Sequence, residues 1–104
     1  MNPQGAFKHA YHDHDENLLR MMKDKKLFSG CTCVNALVFE KNNAINLVVA
    51  HAGDSMAVAS RNGVAEVITK PHACTDEEEK KRIEAAGGWV ANKRLMGVLA
   101  VSRS

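Results

Sequence analysis

Apolar and polar positions alternate in different ways along this chain, and each pattern predicts a different element. Tyr11, Leu18 and Met22 recur at spacings of seven and four, with Met21 beside them. About Asp13 to Lys26 is therefore predicted to be an amphipathic helix with a narrow apolar stripe and an exposed side of Lys and Asp. Ser29-Gly30 ends that pattern. Cys33 to Phe39 is apolar except for Asn35, the near-continuous run expected of a strand covered on both faces. Asn42-Asn43 suits a tight turn, because Asn tolerates positive φ, and the run Ile45 to Ala52 is predicted to pair back antiparallel. In that second run Ile45, Leu47, Val49 and His51 share one face, while Val48, Ala50 and Ala52 line the other and shrink toward Asp54.

Two short runs, Met56 to Ser60 and Val64 to Ile68, flank Asn62-Gly63, the strongest local signal for a type I′ hairpin. Pro71 closes this strand region. Thr75 is predicted to cap a helix, with Glu78 three residues on completing a capping box. Asp76 through Glu79 then sit at the positive end of the helix dipole, Lys80, Lys81 and Arg82 follow toward its negative end, and Gly87 terminates it. Only Ile83 and a pair of alanines can pack this helix. Trp89 to Val90 and Val98 to Val101 are predicted as two further short strands around the basic turn Asn92-Lys93-Arg94. The last apolar run leads directly to Ser104, an ending expected of part of a domain.

Composition narrows the class. A chain of 104 residues forms one domain at most, with 45% hydrophobic and 25% charged residues, as in ordinary globular proteins. No apolar run approaches the roughly 20 residues of a membrane helix, so no membrane association is expected. The N-terminus lacks the basic, apolar and small-residue order of a secretory signal, so an intracellular location, cytoplasmic or nuclear, is expected. A net charge of +2 with interspersed signs argues against a nucleic-acid partner. Cys31 and Cys33 point the same way along a strand at a spacing poor for bridging, and are expected as reduced, packed thiols.

Candidate chemistry is sparse. His9, His12 and His14 with Asp13 and Asp15 form a cluster of zinc- or nickel-type donors, but His12 and His14 would face different sides of a helix. Cys31-Thr32-Cys33 has neither the two-residue gap of a redox or zinc motif nor a second pair. His51 on an apolar strand face reads as a hydrogen-bonded core histidine. The sequence contains no Gly-x-Ser-x-Gly elbow and no Walker or dinucleotide phosphate loop, and Gly87-Gly88 reads as a helix stop. Asp54, in the turn Gly53-Asp54-Ser55, is read from spacing alone as an Asx-turn acid accepting backbone amides.

The order of segments adds another reading. Ser29-Gly30-Cys31-Thr32, Val49-Ala50-His51-Ala52-Gly53-Asp54-Ser55, Arg61-Asn62-Gly63, Glu77 to Gly88, and Gly97-Val98-Leu99-Ala100-Val101-Ser102-Arg103 stand in sequence. Together they resemble the middle of a metal-dependent protein serine/threonine phosphatase of the protein phosphatase 2C type. The resemblance implies an α+β fold, part of an α-β-β-α sandwich of antiparallel sheets flanked by helices. It divides the chain into an N-terminal segment, residues 1–28, with the amphipathic helix, and a partial phosphatase domain, residues 29–104.

The resemblance further implies Mn2+ or Mg2+ as cofactor, a metal-bound water as nucleophile, and phosphoserine and phosphothreonine proteins as substrates. The family's metal-bridging carboxylates come from an Asp-Gly-His-Gly-Gly segment and from later Asp-Gly and Asp-Asn segments, which this sequence does not contain. Asp54 falls on the acid of Gly-Asp-Ser, an accessory metal ligand, and is the one site residue the resemblance assigns. Met56 stands where the family usually has Arg, His51 where Asn is common, and Pro71-His72 where an Asp-His pair is usual. The expectation is thus a phosphatase segment inactive by itself. The alternative is a non-catalytic interaction module that self-associates or binds protein through exposed strand edges.

Overall fold

A computed structural model describes residues 2–104. The long helix α1 spans Pro3–Lys25, ten residues earlier than the apolar stripe alone predicts. The reason lies at its start. The Asn2 side chain caps the Gly5 N–H at 3.1 Å, and Pro3 occupies the first turn, where a missing N–H costs nothing. The half-buried stripe accordingly runs back from Tyr11 through Phe7 to Pro3, and the Phe7 and Tyr11 rings meet edge to face at 6.4 Å. The helix ends at Lys26, whose left-handed backbone lets the Leu27 N–H reach Met22 O at 2.9 Å.

Strands β1 (Cys33–Lys41) and β2 (Ala44–Ala52) form a hairpin. Asn42 and Asn43, with φ of 55° and 57°, make its two-residue turn, as predicted. β3 (Val58–Arg61) and β4 (Val64–Val67) pair antiparallel, from Val58 opposite Val67 to Arg61 opposite Val64, with positive φ at both Asn62 and Gly63. The fold is α+β, with antiparallel hairpins and two helices. β1 is not covered on both faces within this chain: Val34 and Val38 are exposed, and its burial is confined to Cys33, Leu37 and Phe39.

Helix α2 covers Glu77–Ala85. Its cap is Asp76, one residue after the expected Thr75: Asp76 Oδ1 accepts from the Glu78 and Glu79 amides at 2.9 and 3.4 Å. A carboxylate at this position satisfies free amides and also faces the positive end of the dipole, an advantage a Thr hydroxyl lacks. Gly87, with φ of 87°, follows the helix as predicted. β5 (Val90–Ala91) and β6 (Arg94–Leu95) then form a minimal hairpin about Asn92-Lys93. The second strand is thus Arg94–Leu95, and the apolar run Val98 to Val101 is no strand. It makes two isolated bridges, Leu99 to Leu95 and Val101 to Ala73. Positive φ at Met96 and Gly97 turns the chain before that run can continue a ladder.

By contacts the chain divides into two units, residues 1–30 with 36–50, and residues 31–35 with 51–104. In the first, the Tyr11 hydroxyl donates to Ala50 O at 3.0 Å, and α1 buries no residue fully. In the second, Cys74 and Ile83 are the buried apolar residues, with Thr69, Glu79 and Ser102 buried around them. No described helix is long and apolar enough to cross a membrane.

Candidate functional site

The turn after β2 is built around Gly53, which is buried and has φ of 102°. That conformation favours glycine, and a Cβ there would collide with the Thr32 side chain. Three hydrogen-bonded contacts hold the turn. The Gly53 N–H donates to His72 Nδ1 at 3.1 Å, the His72 N–H returns to Gly53 O at 2.9 Å, and the Ser55 and Thr32 hydroxyls lie 2.6 Å apart. Asp54 sits exposed at the apex, and among the described residues no hydrogen bond or ion pair engages its carboxylate. The Asx-turn read from spacing is therefore not formed: neighbouring side chains, not Asp54, hold this turn.

The supporting residues form a continuous polar corner. The His51 and His72 rings stack at 4.3 Å with an interplanar angle of 3°, and His51 Nε2 lies 2.7 Å from Lys70 O. Since His72 Nδ1 accepts from Gly53, the proton of its neutral ring sits on Nε2. Burial first, then the neighbouring His51 and Arg103, lowers the His72 pKa and favours this neutral form. Lys70 pairs with Asp76; that hydrogen bond raises the Lys70 pKa and lowers the Asp76 pKa. A cleft of about 150 Å³ lies among His51, Lys70, His72, Asp76, Glu78 and Glu79.

At the wall of the cleft, Glu79 collects four donors. Ser102 Oγ reaches Oε2 at 2.6 Å, Arg103 donates through Nε at 3.0 Å and Nη2 at 2.7 Å, and Arg82 Nη2 lies at 3.1 Å. The Arg103 hydrogen bonds lead, Ser102 and Arg82 add to them, and together they outweigh burial and hold the Glu79 carboxyl far below the usual carboxylate range. Arg82 also donates to Ser102 O at 2.8 Å, and the Ser102 N–H donates to His72 O at 3.0 Å. This network was missed in the sequence because Glu79 counts there as one of four acids at a helix start. The available signal was its spacing of four from Ile83, which puts a carboxylate on the packed face of the helix.

The donor set does not make a metal centre. Asp54 offers one carboxylate, and among the described residues no group of three or more His, Cys, Asp or Glu side chains is placed to hold an ion. On α1, His9 pairs with Asp13 at 3.2 Å, both well exposed. Cys31, Cys33 and Cys74 are free thiols; Cys74 is packed in the interior, whereas Cys31 is exposed.

A family profile described as protein phosphatase 2C matches residues 1–104. The chain belongs to the protein phosphatase 2C family. It is 38% identical over 108 residues to probable protein phosphatase 2C 62 of Oryza sativa subsp. japonica, covering 99% of this chain and 36% of that protein. It is 40% identical over 103 residues to probable protein phosphatase 2C 14 of Arabidopsis thaliana, covering 95% of this chain and 21% of the relative. To protein phosphatase 1F of Homo sapiens it is 38% identical over 106 residues, 99% of this chain and 22% of the relative. The chain thus spans between 21% and 36% of the length of these protein phosphatase 2C relatives. No solved structure matches it.

Proposed function

We propose that this chain is a segment of a protein serine/threonine phosphatase acting on phosphoserine and phosphothreonine in proteins with Mn2+ or Mg2+, and that it does not hydrolyse phosphate esters by itself. The observation that carries the reading is the Asp54 carboxylate: exposed, unengaged, and mounted on a turn fixed from three sides. An acid that is not used by its own turn is available to an outside partner, and an Asp in a Gly-Asp-Ser turn of this family fits an accessory ligand whose co-ligands lie elsewhere. With one carboxylate there is no step of hydrolysis to assign to this chain's own side chains. The purified 104-residue chain, assayed on a phosphothreonine peptide with Mn2+, is expected to show no turnover above background. Turnover that vanishes in Asp54→Ala would overturn the claim of inactivity.

The second reading is an interaction module. All four residues of β4 are exposed, as are Val34 and Val38 of β1 and Ile45 and Leu47 of β2. Such strand surfaces invite pairing with a second copy or another protein. Light scattering is expected to show association that grows with concentration under this reading; a folded monomer at high concentration removes it.

A further inference from the structure

We propose that His72 is the positioning residue of the Asp54 turn, acting through the lone pair of its Nδ1 rather than through charge. The proposal rests on the accessory-acid reading of Asp54 only for its functional meaning. Its physical content is independent of any ion.

Gly53 is buried, and a buried N–H without an acceptor carries a desolvation cost that a folded turn does not sustain. β2 ends at Ala52, and the Gly53 N–H that follows it meets the His72 ring, while the φ of 102° turns the chain onward into Asp54. His72 engages both polar groups of Gly53, accepting through its ring at 3.1 Å and donating from its own amide at 2.9 Å. A single residue therefore fixes the peptide units on both sides of Gly53, the second of which leads into Asp54.

The ring itself is fixed from behind. It stacks on His51, which is anchored at Lys70 O, and its backbone carbonyl accepts from Ser102, a residue tied into the Glu79 and Arg103 network. Only a side chain presenting an acceptor at the Nδ1 position can do this. Neutral His does; His+ does not, because its Nδ1 becomes a donor facing another donor. The charged groups around the ring are His51 on β2, Lys70 after β4, Asp76, Glu78, Glu79 and Arg82 at α2, and Arg103 beyond it. Arg103, Arg82 and His51 oppose a charge on the ring, and Glu79 favours one. Asn carries an amide oxygen at about the distance from its Cα that Nδ1 occupies in His, so it supplies the same acceptor without a titrating proton.

The test is made on the 15N-labelled 104-residue chain without metal. Long-range 1H–15N spectra near neutral pH are expected to show His72 with an unprotonated Nδ1 and a protonated Nε2, and the Gly53 amide is expected to exchange slowly. In His72→Ala, Gly53 exchange is expected to quicken about tenfold, the factor for one lost hydrogen bond, with Asp54 shifted alongside it. His72→Asn is expected to restore both. A proton on His72 Nδ1 in the unaltered chain overturns the proposal, whether or not either variant folds. Equal Gly53 exchange in the unaltered chain and a folded His72→Ala overturns it as well. Because no readout involves an ion or turnover, failure here is distinct from a failure of the phosphatase reading, which the activity assay reports.

Discussion

The two units of this chain hold themselves together by different means. In residues 1–30 with 36–50, a long helix and most of a hairpin present half-buried stripes and wide exposed apolar surface, with no fully buried helix residue. In residues 31–35 with 51–104, the buried polar groups are satisfied by specific partners: Thr69 by the Ala57 amide, Ser102 and Glu79 by each other, the Gly53 amide by His72. A stripe tolerates small shifts because hydrophobic contact is non-directional. A hydrogen-bonded corner does not, and this is where an acid that must point in one direction is best mounted. The contrast explains why Asp54, and not the histidine cluster of α1, is the candidate functional group.

The contrast can be broken most sharply at Gly53. Gly53→Ala adds a Cβ against Thr32 in a left-handed backbone, and is expected to destabilise the chain by about 3 kcal/mol, read as a lower urea midpoint. Glu79→Ala is expected to cost about 2 kcal/mol: it leaves Arg103, Arg82 and the buried Ser102 hydroxyl without their shared acceptor, but both arginines are nearly half exposed. The smallest effect belongs to the other unit. His9→Ala removes an exposed pair with Asp13 and is expected to change stability by less than about 0.5 kcal/mol. A large loss from His9→Ala, or none from Glu79→Ala, would erase the distinction between the two units.

Acid separates the parts of the corner. His72 has a lowered pKa in the folded chain, so its contribution is complete above its ordinary value of 6.5 and is lost as pH falls through its folded value. Glu79 is also lowered, from an ordinary 4.5, so its contribution is complete above that value and fades as pH falls below it. Stability is therefore expected to decline in two limbs, the His72 limb at higher pH. Urea unfolding at a series of pH values would show His72→Asn losing the first limb and keeping the second; an unchanged pair of limbs would refute the assignment.

What could be read in the sequence was local. Asn42-Asn43 and Asn62-Gly63 announce their turns because positive φ is a property of those residues themselves. Gly87 announces the end of α2 for the same reason. What escaped depends on partners remote in sequence. Glu79 meets Arg103 across 24 residues, and His72 meets Gly53 across 19, distances at which no periodicity carries information. The capping residue moved from Thr75 to Asp76 because Lys70 and the helix amides both favour a carboxylate there. Val98 to Val101 has strand composition, yet the turn at Met96 and Gly97 leaves only isolated bridges. Asp54 could be located in the sequence. Its freedom from its own turn could not.

That freedom, together with the lack of co-ligands among the described residues, is tested most directly by calorimetric titration of Mn2+ into the 104-residue chain. No saturable heat is expected from the unaltered chain, and the same trace from Asp54→Ala, since one carboxylate alone does not make a metal centre. Stoichiometric, saturable binding that disappears in Asp54→Ala would contradict that expectation.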